Sequence, residues 1–301
     1  MKILVTGSTG LVGTALTSDL ERAGHTVCRL VRPATRVRRG EEGTEVKWDP
    51  ETGELGGTAA GAEAVVHLAG ASIAEGRWTP ERKALLRSSR VEGTRSLVNA
   101  LAKMAAKPRV LVSASAIGYY GNRGEEVLDE SCAPGNDFLS GVAKAWEAEA
   151  EKAGALGIRV VQARFGMILS QEGGALPKMA RPFRFGVGGR IATGQQWMSW
   201  ITLRDALAIV RLALEDERVR GPVNVVSPQP VQNVGFTKVL ASSLGRPAWF
   251  PAPAFALRLA LGEMADALLL SSQRVVPREL GRLGYKFLHP DLAAILPSLV
   301  S

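Results

Sequence analysis

The 301-residue chain has little cysteine and little histidine, two and three residues respectively. Cys28 and Cys132 are far apart, so the sequence indicates neither a disulfide framework nor a cysteine-based metal cluster. The three histidines are equally scattered. We therefore expect a protein without a bound metal.

Long apolar runs are also missing. The most apolar late stretch, residues 254–270, is interrupted by Arg258, Glu263 and Asp266, which favours an amphipathic or buried helix over a membrane span. No basic segment followed by an apolar one precedes the first predicted strand, so we expect no secretory signal. The expected location is the cytoplasm, without a membrane partner.

Basic residues exceed acidic ones, and the formal net charge is +8. They are spread along the chain apart from one cluster, and no aromatic residues interleave with that cluster, which consists of Arg32, Arg36, Arg38 and Arg39. The pattern favours a solvated arginine-rich surface over a nucleic-acid site. A third interpretation is that part of the charge holds an anionic cofactor or substrate.

Strand and helix signals alternate through the first two thirds of the chain. Strands are predicted at residues 2–5, 26–31, 45–48, 64–68, 109–113 and 159–163, and helices at residues 11–23, 80–103 and 139–153. This alternation predicts an α/β fold with a doubly wound parallel sheet, the Rossmann architecture.

The alternation changes after residue 165, which suggests a two-part organisation. Residues 1–165 would form the dinucleotide-binding domain, with contributions from residues 195–228, where strands return near 197–201 and 223–226. Residues 166–301, with more loop signals and prolines, would form a smaller α+β lobe that faces the substrate.

A glycine-rich turn with the spacing Gly7-x-x-Gly10-x-x-Gly13 lies between the first strand and the first helix. Gly7 would allow a tight turn, Gly10 a close approach of the backbone to a pyrophosphate, and Gly13 close packing of the helix on the strand. The pyrophosphate would lie on the free N–H groups at the positive end of the helix. The turn therefore predicts dinucleotide binding.

The end of the second predicted strand indicates which dinucleotide. An NAD site usually has an acidic residue there, but the strand continues as Arg32-Pro33. Arg32 would lie where NADP carries its 2′-phosphate, and a charge-assisted bond there contributes about 1.5–3 kcal/mol. Arg36 could add to the same pocket. The alternative is that Arg32 is a solvated residue at the end of a strand; the sequence favours NADP.

Further motifs follow the later strands and helices. They are His67-Leu68-Ala69-Gly70, Arg90-Val91-Glu92-Gly93-Thr94, Val112-Ser113-Ala114-Ser115, Gly118-Tyr119-Tyr120-Gly121, Trp146-Glu147, Gly173-Gly174-Ala175-Leu176, Gln196-Trp197-Met198-Ser199-Trp200-Ile201 and Gly262-Glu263-Met264-Ala265-Asp266. With these motifs the whole chain resembles the extended short-chain dehydrogenase/reductase superfamily. Within it, the chain resembles an atypical, epimerase-like family that carries a C-terminal domain of unknown function, here residues 247–295. Some members are labelled cell-division-inhibitor-like.

This resemblance implies NADP(H) as cofactor, and it implies the contacts. Backbone groups from residue 9 to residue 12 would hold the pyrophosphate, and residues 68–70 would pass under the adenosine ribose. Arg90 and Ser113 would line the groove, with Ile168 near the nicotinamide. The cofactor-binding residues are therefore expected to be Gly7, Thr9, Gly10, Leu11, Val12, Gly13, Arg32, Leu68, Ala69, Gly70, Arg90, Ser113 and Ile168.

The superfamily's catalytic Tyr-x-x-x-Lys pair is missing. The chain has three tyrosines, and none is followed by lysine four residues later. The resemblance puts Leu139 and Ala143 at these positions. A phenol without a nearby ammonium has a pKa of about 10, so it is a poor base but a usable proton donor. If the site is catalytic, we expect Ser115 with Tyr119 or Tyr120 to serve NADPH-dependent reduction of a carbonyl or an activated double bond.

Other functions remain open. The tyrosines could pack under the cofactor as aromatic walls, and the protein could then bind NADP(H) without turnover, as a redox sensor. A sugar-nucleotide epimerase is less favoured, because the base for its oxidative half-reaction is missing. His67 and Glu147 are interpreted as structural, and Trp197 and Trp200 as packed in the core rather than on a partner surface. We expect a monomer or a homodimer that acts on an unidentified small molecule.

Overall fold

A computed structural model describes residues 1–32, 45–50 and 52–300. Arg36, Arg38 and Arg39 of the basic cluster lie outside the described residues. The strands are β1 (Lys2–Thr6), β2 (Thr26–Val31), β3 (Glu45–Lys47), β4 (Ala64–His67), β5 (Val110–Ala116), β6 (Val127–Leu128), β7 (Arg159–Phe165), β8 (Met167–Leu169), β9 (Trp197–Met198), β10 (Trp200–Thr202), β11 (Gly221–Val225), β12 (Val231–Gln232) and β13 (Arg274–Val275).

The helices alternate with the strands in the first part of the chain and dominate its last part. They are α1 (Leu11–Arg22), α2 (Pro80–Lys103), α3 (Phe138–Glu151), α4 (Ala175–Arg184), α5 (Leu203–Glu215), α6 (Asn233–Ser243), α7 (Ala254–Leu261), α8 (Glu263–Ala265), α9 (Arg278–Arg282) and α10 (Leu292–Val300). Short 3-10 turns lie at Gly57–Ala59, Ile117–Tyr120 and Lys152–Leu156, and a π turn at Asp266–Leu270.

Seven parallel strands form the central sheet, in the order β3-β2-β1-β4-β5-β7-β11. This order reverses at β1 and confirms the predicted doubly wound fold. One apolar cluster packs on the face covered by α1 and α5, and a second on the face covered by α2 and α3. The carboxyl ends of β1, β4, β5 and β7 meet at one edge of the sheet, where this type of fold binds its ligands.

Local sequence explains where the main helices begin. Thr79 accepts a hydrogen bond from the Arg82 N–H at the start of α2, and Pro80 occupies the first turn. Asp137 caps α3 in the same way through the Ser140 N–H. These caps hold α2 and α3 against the sheet beside the candidate site.

The predicted strand at 197–201 does not join the central sheet. It is divided at Ser199, so that β10 pairs with β8 and β9 pairs with β12. The division follows from hydrogen bonds of the Ser199 hydroxyl, which donates to the Gln273 carbonyl at 2.8 Å and accepts from the Val275 N–H at 2.8 Å. In contrast, β11 lies at the edge of the sheet beside β7, and α5 packs on the sheet's apolar face.

The apolar stretch at 254–270 is not one helix. Gly262 has a φ of +63°, which ends α7 and separates it from α8 and the π turn. Over the ranges that the structure describes, no helix is both long enough and apolar enough to span a membrane. The small lobe has its own core, formed mainly by α4, α6 and α10.

Candidate functional site

The glycine turn after β1 is closed by contacts that leave no room for side chains. Gly7 has a φ of +67°, and a Cβ built on it would lie 2.8 Å from the Leu68 carbonyl carbon. A Cβ on Gly13 would lie 2.1 Å from the Gly7 carbonyl oxygen, whereas one on Gly10 would be 3.4 Å from it. Gly7 and Gly13 therefore permit α1 to pack directly against the turn and the end of β4.

The amino end of α1 is open toward the carboxyl edge of the sheet. Thr9 and Gly10 are exposed, and Leu11 and Val12 are half-buried. The N-cap residue of α1 is Gly10, which has no side chain that could cap the helix. The first turn of α1 holds no acidic residue. Its N–H groups and the positive helix dipole are thus available to an anion such as a pyrophosphate.

The turn after β4 forms the next part of the same groove. The Leu68 and Ala69 N–H groups both donate to the Thr6 hydroxyl, at 3.1 and 3.2 Å. His67 is fully buried between the hydroxyls of Thr6 and Thr94, and burial lowers its pKa to about 4. His67 is therefore a neutral structural residue, as the sequence predicted.

Arg90 lies beside the exposed Gly70 at the mouth of this groove. A Cβ on Gly70 would be 3.2 Å from the Arg90 Cζ, so an alanine there would require the guanidinium to shift by a few tenths of an ångström. The Arg90 guanidinium also lies 5.3 Å from the centre of the Trp146 ring. Burial lowers the pKa of Arg90 to about 10, and the side chain remains a cation at neutral pH.

Two further predicted contacts lie at the groove. Arg32 is exposed directly after β2, the neighbour of β1 in the sheet. Ile168 is half-buried in β8, and a Cβ on the adjoining Gly174 would lie 3.1 Å from Leu11 at the start of α1. The loop after β8 therefore packs against the Leu11 side chain in the first turn of α1.

Ser113 does not present its side chain to the groove. It is 1% exposed, and its hydroxyl donates to the Ala114 carbonyl at 3.3 Å. The position is buried because Ser113 lies within β5, paired in register between β4 and β7. The Ser113 side chain therefore does not line the groove, and a contact of its backbone with the cofactor stays a prediction.

A buried polar network lies at the carboxyl end of β5. Ser115 donates to one Glu147 carboxylate oxygen at 2.6 Å, and Arg164 binds both oxygens of that carboxylate, each at 2.8 Å. Arg164 also donates to the Tyr120 hydroxyl at 2.9 Å, and that hydroxyl donates to the Asn224 side-chain oxygen at 2.7 Å. The network joins β5, α3, β7 and β11.

Tyr120 belongs to this network and not to the cleft. Its side chain is fully buried, and burial raises the pKa of its phenol well above the usual range. The hydroxyl already uses its proton for Asn224. Tyr120 therefore cannot reach a substrate, and its predicted role as a proton donor is wrong.

Tyr119, in the same turn as Tyr120, is the less buried of the two phenols. It is half-buried, and the Arg164 guanidinium lies 3.6 Å from the centre of its ring. Its ring also packs edge-on against Tyr120, with 5.4 Å between the ring centres. The network thus fixes the orientation of Tyr119 through contacts with its ring.

The usual Tyr and Lys positions on α3 hold apolar side chains. Leu139 is half-buried and packs with Trp78 and Met264, and Ala143 is 5% exposed. Lys144 is exposed to solvent. Hence α3 contributes Glu147, one turn beyond Ala143, as its polar group at the edge of the sheet.

Sequence reasoning missed Arg164 and Asn224. Arg164 is 3% exposed at the end of an apolar strand, and Asn224 is fully buried in β11. Their signal in the sequence was a polar residue at the carboxyl end of each strand, where ligand-facing residues are found. In the described ranges, no three His, Cys, Asp or Glu side chains are grouped as metal ligands.

Comparison with known proteins agrees with this geometry. The sequence model of the NAD-dependent epimerase/dehydratase family matches residues 3–226, and that of a domain of unknown function (DUF1731) matches residues 252–299. The epimerase family protein YfhF of Bacillus subtilis is 40% identical over 302 residues, which cover 100% of this chain and 98% of that protein. The epimerase family protein Mb2239 of Mycobacterium bovis is also 40% identical, over 98% of this chain and 96% of the relative.

A solved structure is similar over the whole chain. The crystal structure of the human epimerase family protein SDR39U1 (isoform 2) with NADPH has a TM-score of 0.89 and 32% identity, and covers 100% of this chain and 99% of that one. Fold and site together define a short-chain dehydrogenase/reductase with an NAD(P)-binding Rossmann fold. More narrowly, the chain belongs to the NAD-dependent epimerase/dehydratase family, in the branch that carries this C-terminal domain.

Proposed function

We propose that the protein is an NADP(H)-dependent oxidoreductase that reduces a carbonyl or an activated double bond of a small molecule. The observation that carries the proposal is the glycine turn, whose closed packing leaves the amino end of α1 open to a pyrophosphate. The NADPH in the crystal structure of the human relative supports the same cofactor.

Arg32 supports NADP(H) over NAD(H). It is exposed immediately after β2, where the 2′-phosphate of a bound cofactor would lie. An acidic residue at that position would instead bind the ribose hydroxyls of NAD and repel the phosphate. We therefore assign the 2′-phosphate to Arg32.

Bound NADPH would supply a hydride, and the protein must supply a proton to the reduced substrate. Tyr119 is the proposed donor, because Tyr120 is buried. Ser115 donates to Glu147 and is 3% exposed, so its part is to hold that carboxylate beside Arg164. With no lysine to activate the phenol as a base, donation favours reduction over alcohol oxidation.

Deuterium transfer tests the reaction. With stereospecifically deuterated NADPH and a panel of aldehydes, ketones and enones, we expect label in the product from one face of the cofactor. Tyr119→Phe should lower turnover by about 10²–10⁴-fold, the usual contribution of a positioned acid, with little change in cofactor affinity. Tyr120→Phe serves as the comparison variant. It should cost stability, with a much smaller loss of turnover.

A non-catalytic NADP(H) sensor is the second candidate. It is favoured because the Ser115 and Tyr120 hydroxyls both donate hydrogen bonds within the buried network. Of the predicted catalytic side chains, this leaves only Tyr119 as a proton donor. NADPH binding without label transfer to any member of the panel, and equal behaviour of wild type and Tyr119→Phe, would favour the sensor. A sugar-nucleotide epimerase would instead use NADP⁺ to oxidise its substrate and then return the hydride to it, so it would show no net reduction and would need a base for the oxidation.

A further inference from the structure

The small lobe contains a cavity of about 380 Å³ between α4, α6 and the segment 254–270. This volume lies within the range of small-molecule pockets, roughly 300–1,000 Å³. Its lining is mainly apolar and includes Met179, Phe183, Phe236, Leu240, Leu257 and Leu261.

The cavity adjoins the candidate reaction site. Leu261, Met264 and Leu268 line it, and the same three side chains pack in one cluster with Leu139. Leu139 occupies the position where the superfamily normally has its catalytic tyrosine. It lies next to Gly118, in the turn that carries Tyr119. These contacts connect the wall of the cavity, through Leu139, to the turn that carries Tyr119.

The polar groups of the lining do not suit a nucleotide sugar. Lys178 is the one charged side chain among the described residues of the lining, and it is exposed on α4. The Asn233 amide is engaged, because its oxygen accepts from the Ile191 N–H at 2.8 Å and its nitrogen contacts the Met198 sulfur at 3.4 Å. With Lys178 and the Thr237 hydroxyl as its other polar groups, the lining would leave most of the hydration of a diphosphate or a ring of sugar hydroxyls unreplaced.

We propose that this cavity binds the aliphatic or ring portion of an amphipathic substrate whose carbonyl or activated double bond extends past Leu139 toward Tyr119. The inference deepens the proposed function and rests on it for the reactive end. The apolar rim agrees with such a ligand, since Val187 and Phe250 line the cavity and are 57% and 55% exposed. Contact with a ligand would remove part of that apolar surface from water.

Binding of straight-chain alcohols, from butan-1-ol to decan-1-ol, tests the cavity without any reaction. Calorimetry in the absence of NADPH should show the affinity rising about fourfold for each added methylene, the equivalent of about 0.8 kcal/mol, until the cavity is full. An affinity that does not depend on chain length would overturn the proposal.

Two variants on one helix provide a matched pair. Leu257→Asp places a carboxylate in the cavity lining and should weaken octan-1-ol binding by at least about tenfold. Leu259→Asp makes the same change at a position of α7 that is 76% exposed, and should leave the affinity unchanged. Equal losses in both variants, or none in either, would contradict the assignment. Thermal unfolding identifies a variant that fails to fold, and Leu257→Trp, which fills the cavity, then gives the answer.

The two proposals fail in different ways. Loss of chain-length dependence with intact NADPH binding and label transfer would reject the cavity and keep the oxidoreductase. Chain-length dependence without label transfer would keep an apolar ligand site and reject turnover.

Discussion

The two ends of the cleft are built differently. At the cofactor end, backbone groups of the turn after β1 and of α1 form the site, and glycines make it by leaving space. At the reacting end, side chains from five elements meet in a buried ion pair with its hydrogen-bond partners. The first kind of site depends on close packing of the backbone, and the second kind depends on particular side chains.

The largest loss of stability is expected when the buried ion pair at the reacting end loses one of its partners. Glu147→Ala would leave Arg164, 3% exposed, without its carboxylate. Breaking one partner out of a buried pair costs about 3–5 kcal/mol of unfolding free energy. Urea denaturation measures the loss. Asp266→Ala, which removes an exposed partner of Arg258, is the control and should cost at most about 1 kcal/mol.

At the cofactor end, the addition of a single methyl group should lower stability and weaken cofactor binding. Gly13→Ala would place a Cβ 2.1 Å from the Gly7 carbonyl oxygen, so the turn must move away from α1. We expect loss of stability of about 1–3 kcal/mol and at least a tenfold weaker NADPH affinity, measured by fluorescence titration.

Gly141→Ala on α3 is the matched substitution, because a Cβ there meets nothing within 4 Å. It should leave NADPH affinity unchanged and gain up to about 1 kcal/mol of stability from helix propensity. If both glycine variants bind NADPH equally, the close-packed turn is not what forms the site.

His67, at the end of β4 near the glycine turn, is expected to make the stability of the protein depend on pH. Burial lowers its pKa in the folded protein to about 4, below the ordinary value of 6.5. Between these two pKa values the unfolded chain binds more protons than the folded protein. The contribution of His67 to the free energy of unfolding is therefore complete above pH 6.5 and is lost as the pH falls toward 4. The full loss is about 3 kcal/mol.

Urea denaturation at several pH values between 4.5 and 7 checks this expectation. In His67→Gln the stability should fall less steeply toward low pH than in the wild type, and the two profiles should differ most below pH 6. Parallel profiles would show that His67 is not the group responsible.

The cofactor end could largely be predicted from the sequence, because a strand, a glycine spacing and a helix are contiguous. The central sheet followed from the same local alternation. The direction of Tyr120 could not be predicted. It depends on Arg164 and Asn224, which are 44 and 104 residues away in the chain and reach the phenol only after β7 and β11 have joined the sheet. For the same reason the partners of the predicted strand near Trp197 could not be predicted, since residues 273–275 form the hydrogen bonds with Ser199 that divide it.

The central claim is an NADP(H) site at the amino end of α1, and its most direct test is the affinity of wild type and Arg32→Ala for NADPH and for NADH. Because a charge-assisted bond to phosphate contributes about 1.5–3 kcal/mol, Arg32→Ala should weaken NADPH binding by about ten- to a hundredfold and leave NADH binding unchanged. Tighter binding of NADH than of NADPH by the wild type, or an equal loss for both cofactors in the variant, would contradict the account.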